Sequence, residues 1–287
     1  SASGAHGEAP AEPEQRVIKI ELNDTNRPDL WSTAGLARAL RVREGGRRPE
    51  YPFFSREGAA AASRRKVVVE ASVKEVRPFL AGFFVSGKAI TDAVLKDVIQ
   101  TQEKLCWNFG RKRRSVSMGI YRSATIEWPV RYKAVPPDSV RFVPLQGDRP
   151  MTLTEILREH PKGREYGFIN EPHKLHPLLT DSKGAVLSNP PIINSNDLGA
   201  VKVGDTELFV ELTGTDLVSV TLSASIVACD FADSGYRVEP VKVEYPYDTA
   251  FGREVTFPYY FQVPVSVEVA KVSKLLGLPF SVQATRD

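Results

Sequence analysis

The chain has 287 residues, of which 42% are hydrophobic and 25% are charged, and its formal net charge is +3. The length suits one large domain or one domain with smaller pieces, and the composition is typical of a globular protein with a buried core. No apolar stretch approaches the roughly 18 residues that a membrane span needs. The two cysteines form no Cys-x-x-Cys pair, so we expect neither a zinc site nor a disulfide. The net charge is too small by itself to indicate nucleic-acid binding.

The N-terminal part of the sequence predicts little regular structure. Residues 1–16 are rich in Ala, Pro, Glu and Gly, and this composition predicts a disordered tail. The tail lacks the apolar core of a signal peptide, so we expect a cytoplasmic location. Alternating apolar residues predict a short strand over 17–22. Apolar residues at helical spacing from Leu30 to Leu40 predict a helix, with Pro28 suited to its first position. A loop-like stretch rich in Ala, Arg and Gly then separates this part from the rest.

Residues 65–263 switch irregularly between strand and helix patterns. The predicted strands are 66–73, 79–86, 116–120, 207–211 and 238–245, and the predicted helices are 89–108, 153–159 and 217–231. Residues 172–195 are Pro-rich and predict irregular structure. Residues 264–287 predict the start of another strand–helix unit. Because strands and helices do not alternate regularly, we predict an α+β fold with mixed or antiparallel sheets and packed helices.

A basic segment follows the helix predicted over 89–108. Its members are Arg111, Lys112, Arg113 and Arg114. Consecutive cations of this kind suit contact with RNA phosphates, and the alternative is a solvated turn that aids solubility. We assign the neighbouring Trp107 and Phe109 to the core rather than to base stacking.

Four short motifs occur in order along the chain. They are Asp24–Leu30 with Asn-Arg-Pro-Asp, the basic segment and strand of Phe109–Tyr121, Val186–Ser195 with Leu-Ser-Asn-Pro-Pro-Ile-Ile-Asn, and Phe209–Asp216 with Glu-Leu-Thr-Gly. Each is weak alone, but their order and spacing together resemble the beta subunit of archaeal/eukaryotic-type phenylalanyl-tRNA synthetase, and in particular an editing-domain fragment of it. One departure is Asn189, which stands where this family usually has Met.

The resemblance implies a division of the chain into four parts. Residues 1–16 would be the disordered tail, and 17–64 the remnant of an N-terminal domain with its linker. Residues 65–263 would be the editing domain, and 264–287 the start of the following domain. The implied activity is hydrolysis of the ester of misacylated Tyr-tRNA-Phe by attack of water, since no Ser/His/Asp triad is readable in the sequence.

The resemblance also implies roles for individual residues. Leu179 would pack against the tyrosine ring, and Glu211 would accept the proton of its hydroxyl. Ser188 and Thr213 would be the catalytic residues that orient the ester or the water. A site built to bind a hydroxyl rejects the analogue that lacks it by a factor of about 10⁴–10⁵, which is what discrimination between tyrosine and phenylalanine requires. Asn194 would contact the ribose.

Gly214 and Thr215 complete the implied substrate-binding set. They lie where the helix predicted over 217–231 begins, and free backbone N–H groups at a helix N-terminus can hold an oxyanion or a phosphate.

The resemblance implies partners rather than cofactors for this chain. The partners are tRNA-Phe and the alpha subunit of an α₂β₂ synthetase, with no membrane. No cofactor and no metal are expected for the fragment, whereas ATP and magnesium are expected for the complete synthetase. We expect no aminoacylation by this chain alone, because no Gly-rich nucleotide-binding motif is present. The alternative function is a non-catalytic tRNA-binding and subunit-docking scaffold.

Overall fold

The computed structural model describes residues 19–23, 26–55, 58, 65–262 and 266–286, and the tail predicted over 1–16 lies outside these residues. The helices of the described part follow in chain order. They are α1 (Thr33–Arg43), α2 (Asp92–Lys104), α3 (Leu153–Glu159), α4 (Pro161–Tyr166), α5 (Leu217–Asp233), α6 (Val269–Leu276) and α7 (Val282–Arg286). None of these helices is long and apolar enough to cross a membrane.

The strands of the described part also follow in chain order. They are β1 (Lys66–Val69), β2 (Phe79–Ser86), β3 (Val116–Arg122), β4 (Val130–Val135), β5 (Arg141–Phe142), β6 (Met151–Thr152), β7 (His176–Thr180), β8 (Val186–Asn189), β9 (Ile193–Asn194), β10 (Glu207–Gly214), β11 (Arg237–Glu244) and β12 (Glu254–Phe257). Strands β5 and β6 form a separate small pair.

The remaining strands form one mixed sheet in the order β3-β10-β2-β11-β1-β4-β7-β8-β9, with β12 paired to β11. Strand β1 runs parallel to both of its neighbours, and the other pairs in the sheet are antiparallel. Helix α5 packs against β2 and β10, and α1 packs against α5. The predicted α+β fold with a mixed sheet and packed helices is therefore confirmed.

The helices begin where the sequence supplies a side chain that caps free N–H groups. Thr152 and Glu155 form a capping box at the start of α3. Asp216 caps α5 by accepting the N–H of Ser219. Helix α5 then buries a stripe of residues at helical spacing against the sheet. This stripe includes Val220, Ala224, Val227 and Phe231.

The first helix begins later than predicted. Ser32 caps α1 by accepting the N–H of Gly35, while Pro28–Leu30 forms a separate 3₁₀ turn. The predicted strand over 66–73 stops at Val69, because a 3₁₀ turn over Ala71–Val73 follows it. Residues 19–22 of the predicted first strand do not form one.

The prediction of irregular structure over 172–195 is wrong. This stretch contains β7, β8 and β9, which extend the sheet beyond β4. The strands have only five, four and two residues. Strands this short between prolines give too little alternation to be recognised as a pattern.

At the C-terminal end, the predicted helix is present as α6 and ends at Gly277, whose φ of 71° is left-handed. Residues 266–268 before it are not a strand.

Helix α1 is attached to α5 by a partly buried polar cluster. Arg38 contacts the carboxylates of Asp230 and Asp233, and the Tyr51 hydroxyl lies 3.0 Å from Asp233. Burial raises the pKa of Asp230 to about 7 despite the neighbouring Arg38 guanidinium. The cluster fixes the N-terminal helix to the same body that carries the sheet.

Candidate functional site

A cavity of about 410 Å³ opens between the sheet, helix α2 and the segment around β8 and β9. Its wall combines apolar and polar side chains, which is typical of sites for small organic groups. The lining includes Leu95, Ile99, Gln102, Arg113, Ser117, Met118, Ile120, Ser188, Pro191, Ile193, Asn194, Val201 and Glu211.

Glu211 is the buried carboxylate of this cavity. It lies on β10 and is 2% exposed. Its Oε1 accepts a hydrogen bond of 2.9 Å from the hydroxyl of Tyr121. Its Oε2 is buried and has no hydrogen-bond partner among the described residues. Burial raises the pKa of Glu211 to about 7, and the Tyr121 hydrogen bond and the Arg77 charge oppose this shift. The site therefore holds one acceptor that a ligand hydroxyl can satisfy.

Tyr121 links Glu211 to Ser188. Its hydroxyl oxygen lies 2.8 Å from Ser188 Oγ and 2.9 Å from Glu211 Oε1. A phenol carries one proton, so it donates to one of these atoms at a time. When Glu211 is ionised, the proton favours the carboxylate, and Ser188 can then donate to the phenol oxygen. The state of Glu211 thus determines the direction of the whole chain of hydrogen bonds.

Gly119 provides the space for this contact. It faces Glu211 across the β3–β10 pair. A Cβ atom at residue 119 would overlap the Tyr121 hydroxyl and would lie 2.7 Å from Glu211 Oε1. Any larger residue would therefore displace one of the two side chains.

Thr213 lies behind the cavity wall rather than in it. It is fully buried, and its Oγ1 is 3.0 Å from the hydroxyl of Ser117, which does line the cavity. The buried Arg77 donates to Thr213 Oγ1 over 2.9 Å and to Ser117 Oγ over 3.0 Å. Burial lowers the pKa of Arg77. The Thr213 hydroxyl is thus occupied in holding this buried cation beneath the site.

The other pocket residues fall into two positions. Asn194 lines the cavity, and its amide donates to the carbonyl of Ile120 over 3.3 Å. Leu179 is opposite Ser188 in the β7–β8 register and is fully buried in the core, outside the cavity lining. Leu179 therefore lies beside Ser188 on the same face of the sheet.

The structure does not bring Gly214 and Thr215 to this cavity. Gly214 ends β10, and the N–H of Thr215 donates to the carbonyl of Ser115 over 3.1 Å. Thr215 lines a different cleft, which it shares with Arg111. The N-terminus of α5 at this cleft is already capped by Asp216.

The basic segment forms an unusual turn. Arg111, Lys112 and Arg113 have φ values of 51°, 56° and 67°, in the left-handed region that favours glycine. Backbone hydrogen bonds hold this conformation, since the N–H groups of Lys112 and Arg113 donate to the carbonyls of Trp107 and Cys106 over 2.8 Å each. The turn is therefore fixed by the end of the preceding helix.

The four basic side chains have different surroundings. Arg113 enters the cavity wall, donates to the carbonyls of Pro191 and Ile192 over 3.1 and 3.2 Å, and lies 4.0 Å from the centre of the Tyr166 ring. Arg111 faces the cleft of Thr215. Each of the remaining two lies over an aromatic ring, in the pairs Lys112–Trp107 and Arg114–Phe168.

The assignment of Trp107 to the core is wrong. Its side chain is 48% exposed, because it follows α2 on a π-helical turn that points it to the surface. Phe109 is half-buried. The exposed position of Trp107 depends on the irregular end of the helix, which the apolar pattern does not encode.

Sequence reasoning did not find Tyr121, Gly119 and Arg77 as parts of the site. Alternation along β3 places residues 119 and 121 on one face, but their proximity to Glu211 depends on the register of β3 with β10. Arg77 precedes β2 as an isolated cation, and nothing in the sequence indicates that it is buried.

Within the described residues, no group of three or more His, Cys, Asp or Glu side chains could hold a metal ion.

These observations define the class of the protein: a mixed α+β fold with a small-ligand site, in which a buried carboxylate and two hydroxyl groups line an apolar cavity. Comparisons with known proteins give its family. No family model matches the chain. It is similar to the crystal structure of an N-terminal fragment of the phenylalanyl-tRNA synthetase beta subunit from Pyrococcus horikoshii, with a TM-score of 0.83 and 36% identity. The match covers 92% of this chain and 73% of that one. The chain therefore belongs to the phenylalanyl-tRNA synthetase beta-subunit family.

Curated relatives extend this assignment. The chain is 48% identical over 271 residues to the phenylalanine–tRNA ligase beta subunit of Treponema pallidum subsp. pallidum, covering 93% of this chain and 45% of that protein. It is 47% identical over 265 residues to the corresponding subunit of Borrelia hermsii, covering 92% and 47%. The chain thus spans about half the length of the curated relatives it matches. The resemblance stated from the four motifs is confirmed at the level of the family.

Proposed function

We propose that this chain is an editing module that hydrolyses the aminoacyl ester of Tyr-tRNA-Phe. The observation that carries the proposal is the buried Oε2 of Glu211, which has no hydrogen-bond partner among the described residues and belongs to a residue lining the cavity. A tyrosine hydroxyl would donate a hydrogen bond to this oxygen. A phenylalanine ring would leave the oxygen desolvated and unsatisfied, which costs on the order of 1–3 kcal/mol for a neutral group and more for a charge.

The cavity walls suit an aromatic side chain. The volume of about 410 Å³ is within the range of roughly 300–1,000 Å³ for small-ligand sites. Met118, Ile120 and Ile99 provide apolar surface in the same cavity lining that includes Glu211. An aromatic ring bound in this cavity would contact apolar surface, and its hydroxyl would be placed at the carboxylate.

The proposed hydrolysis depends on positioning. Ser188 and Asn194 are the polar groups that would place a water and the terminal ribose at the ester carbonyl. Thr213 would act on the reaction through Ser117 and the buried Arg77 rather than by direct contact. Leu179 would shape the slot from its position beside Ser188.

Contacts with the RNA backbone would lie beside the cavity. Thr215 and Gly214 are at the end of β10 next to the cleft of Arg111, and there they would meet a phosphate rather than the amino acid. Arg111, Lys112 and Arg114 take part in no ion pair among the described residues, so their charges are available to phosphates.

We further propose that the chain is of the archaeal/eukaryotic type and acts in the cytoplasm with tRNA-Phe and the alpha subunit of an α₂β₂ synthetase. The similarity to the Pyrococcus horikoshii fragment over 92% of the chain supports this type. ATP-dependent aminoacylation with magnesium would belong to the complete synthetase, and this chain alone would not perform it.

A second candidate function is a non-catalytic tRNA-binding and subunit-docking scaffold. The observation that favours it is that the Ser188 hydroxyl is held by Tyr121 and the Thr213 hydroxyl by Arg77. Both hydroxyls thus have structural partners. This function predicts RNA binding without hydrolysis.

Deacylation assays separate the two functions. The chain is incubated with Tyr-tRNA-Phe and with Phe-tRNA-Phe, and loss of the ester is followed over time. The editing function predicts rapid loss of tyrosine and near-complete retention of phenylalanine. Equal rates on both substrates, or tRNA binding with no hydrolysis at high protein concentration, would contradict it.

A further inference from the structure

We propose that Trp107 and Phe168 form a stacking surface for unpaired nucleotides beside the Glu211 cavity, with Lys112 and Arg114 contacting the adjoining phosphates. The inference deepens the proposed function and rests on it, because it assumes that the partner is an RNA with a single-stranded end.

The first observation is the exposure of two large aromatic side chains on either side of one turn. Trp107 is 48% exposed and Phe168 is 40% exposed. Trp107 precedes the basic turn, and Phe168 lies on the 3₁₀ turn Gly167–Ile169, distant in sequence. The fold therefore brings two exposed rings from separate parts of the chain to the same basic segment.

The second observation is that each ring is paired with a cation of this segment. Lys112 Nζ lies 4.9 Å from the centre of the Trp107 ring, and the Arg114 guanidinium lies 4.9 Å from the centre of the Phe168 ring. Cation–π contacts of this kind hold the rings in place while leaving much of their surface in solvent. Aromatic faces alternating with cations are the pattern by which proteins bind single-stranded nucleic acids.

The third observation is the conformation of the turn that joins these groups. The left-handed backbone of residues 111–113 is unfavourable for residues other than glycine. Backbone strain of this kind is concentrated at functional segments. It directs Arg113 to the cavity wall, where it donates to the carbonyls of Pro191 and Ile192. Lys112 and Arg114, on either side of it, contact the exposed rings instead. The stacking surface is therefore joined directly to the cavity wall.

This arrangement favours single-stranded RNA as the occupant. Every base has a π face, so stacking on Trp107 and Phe168 would tolerate any sequence. Lys112 and Arg114 have no ion pair among the described residues. They would therefore neutralise the phosphates between stacked bases. An RNA end bound in this way would present its terminal ribose to the adjacent cavity.

The test measures binding of uncharged RNA, so it does not depend on hydrolysis. The probe is a fluorescent single-stranded RNA with the 3′-terminal sequence of tRNA-Phe, and the comparison probe is a blunt RNA duplex. Anisotropy titrations at several salt concentrations give the affinity and its salt dependence for the wild type and for each variant. The matched control is Tyr260→Ala, because Tyr260 is also an exposed aromatic residue (59%) and packs against Phe54.

The expected result differs between the rings and the cations. Trp107→Ala and Phe168→Ala should each weaken single-strand binding about tenfold without changing the slope of log K against log salt, as expected for the loss of one stacked base. Trp107→Phe should recover part of the loss. Lys112→Ala should reduce the slope by about one. Tyr260→Ala should have no effect.

Two results would overturn the inference. One is unchanged single-strand affinity in the folded Trp107→Ala, Phe168→Ala double variant. The other is an equal loss of affinity for the blunt duplex, which would mean that the rings act on overall RNA binding rather than on unpaired bases. Because the probes carry no amino acid, a failure of Tyr-tRNA-Phe hydrolysis would leave these results unaffected.

Discussion

At the scale of single residues, Glu211 is a carboxyl group almost completely removed from water. Its carboxyl is buried on β10, and burial raises its pKa to about 7 from an ordinary value of 4.5. Tyr121 and the Arg77 charge stabilise the ionised form but do not outweigh the burial. The residue thus changes its protonation state close to neutral pH, where the proposed reading of a hydroxyl would take place.

The raised pKa predicts a pH dependence of stability. The folded pKa lies above the unfolded one, so the contribution of Glu211 is fully present below about pH 4.5 and is lost as the pH rises to about 7. Glu211→Gln removes this loss. The free energy of unfolding of the variant minus that of the wild type should therefore increase between pH 4.5 and 7, by about 1.4 kcal/mol for each unit of pKa shift, and then level off.

Urea denaturation of both proteins across this pH range provides the measurement. Asp230, whose pKa burial also raises to about 7, is present in both proteins, so its contribution cancels in the difference. A difference that is independent of pH would show that the pKa of Glu211 in the folded protein equals its ordinary value.

The sequence indicates only some of the residues around Glu211. Ser188 and Glu211 stand in motifs, so they can be named from the chain alone. Tyr121 can be placed on a strand, but its contact with both residues requires the pairing of β3 with β10 and the packing of β8 beside them. Arg77 cannot be predicted, because an isolated arginine is exposed in most proteins and here is 2% exposed.

At the scale of elements, the turn after α2 combines two tasks. Arg113 joins the turn to the segment between β8 and β9 through two carbonyls, while Arg111 faces the neighbouring cleft. The four cations that look equivalent in the sequence therefore differ in the structure. Their roles can be separated by experiment.

Single substitutions in this turn should have different effects. Arg113→Ala removes the bonds to the carbonyls of Pro191 and Ile192, so it should reduce the deacylation rate while leaving the salt dependence of tRNA binding nearly unchanged. Arg111→Ala should reduce the salt slope by about one and leave the rate at saturating tRNA unchanged. The two variants are matched, since each removes one arginine from the same turn. Identical behaviour of the pair in both assays would show that Arg113 also acts as a phosphate contact.

Elements with a clear hydrophobic period or a helix cap agree well with the prediction from sequence, and strands that lack a local pattern do not. Strand β2 and helix α3 have the predicted bounds, because each has a clear period or a cap. The strands within 172–195 are two to five residues long and become strands through pairing with β4 and with each other. Tertiary pairing, rather than local pattern, determines these elements.

At the scale of the whole molecule, the mixed sheet carries the site and α5 carries the attachment of the N-terminal helix. The division of the chain at residue 64 remains a prediction, but α1 is bound to α5 through Arg38. Both carboxylates that contact Arg38 are mostly buried, so removing the cation would leave them without a countercharge, and only hydrogen bonds such as that from Tyr51 to Asp233 would remain.

Loss of this cation should destabilise the protein. Arg38→Ala should lower the free energy of unfolding by about 3–5 kcal/mol, the cost of breaking a buried pair. The control is Lys183→Ala, which removes an exposed pair with Glu127 and should leave the free energy of unfolding nearly unchanged. Chemical denaturation of the three proteins measures both values. Equal stability of the two variants would mean that the α1–α5 cluster does not hold the helix in place.

The ratio of the deacylation rates of Tyr-tRNA-Phe and Phe-tRNA-Phe shows whether Glu211 distinguishes tyrosine from phenylalanine. The ratio is measured for the wild type, Glu211→Ala and Glu211→Asp, after circular dichroism confirms that each is folded. Glu211→Ala should lower the Tyr-tRNA-Phe rate while the Phe-tRNA-Phe rate holds or rises. Glu211→Asp should keep part of the preference, because only the reach of the carboxylate changes. A wild-type ratio in folded Glu211→Ala would contradict the assignment of tyrosine recognition to Glu211 and place the selectivity elsewhere in the cavity.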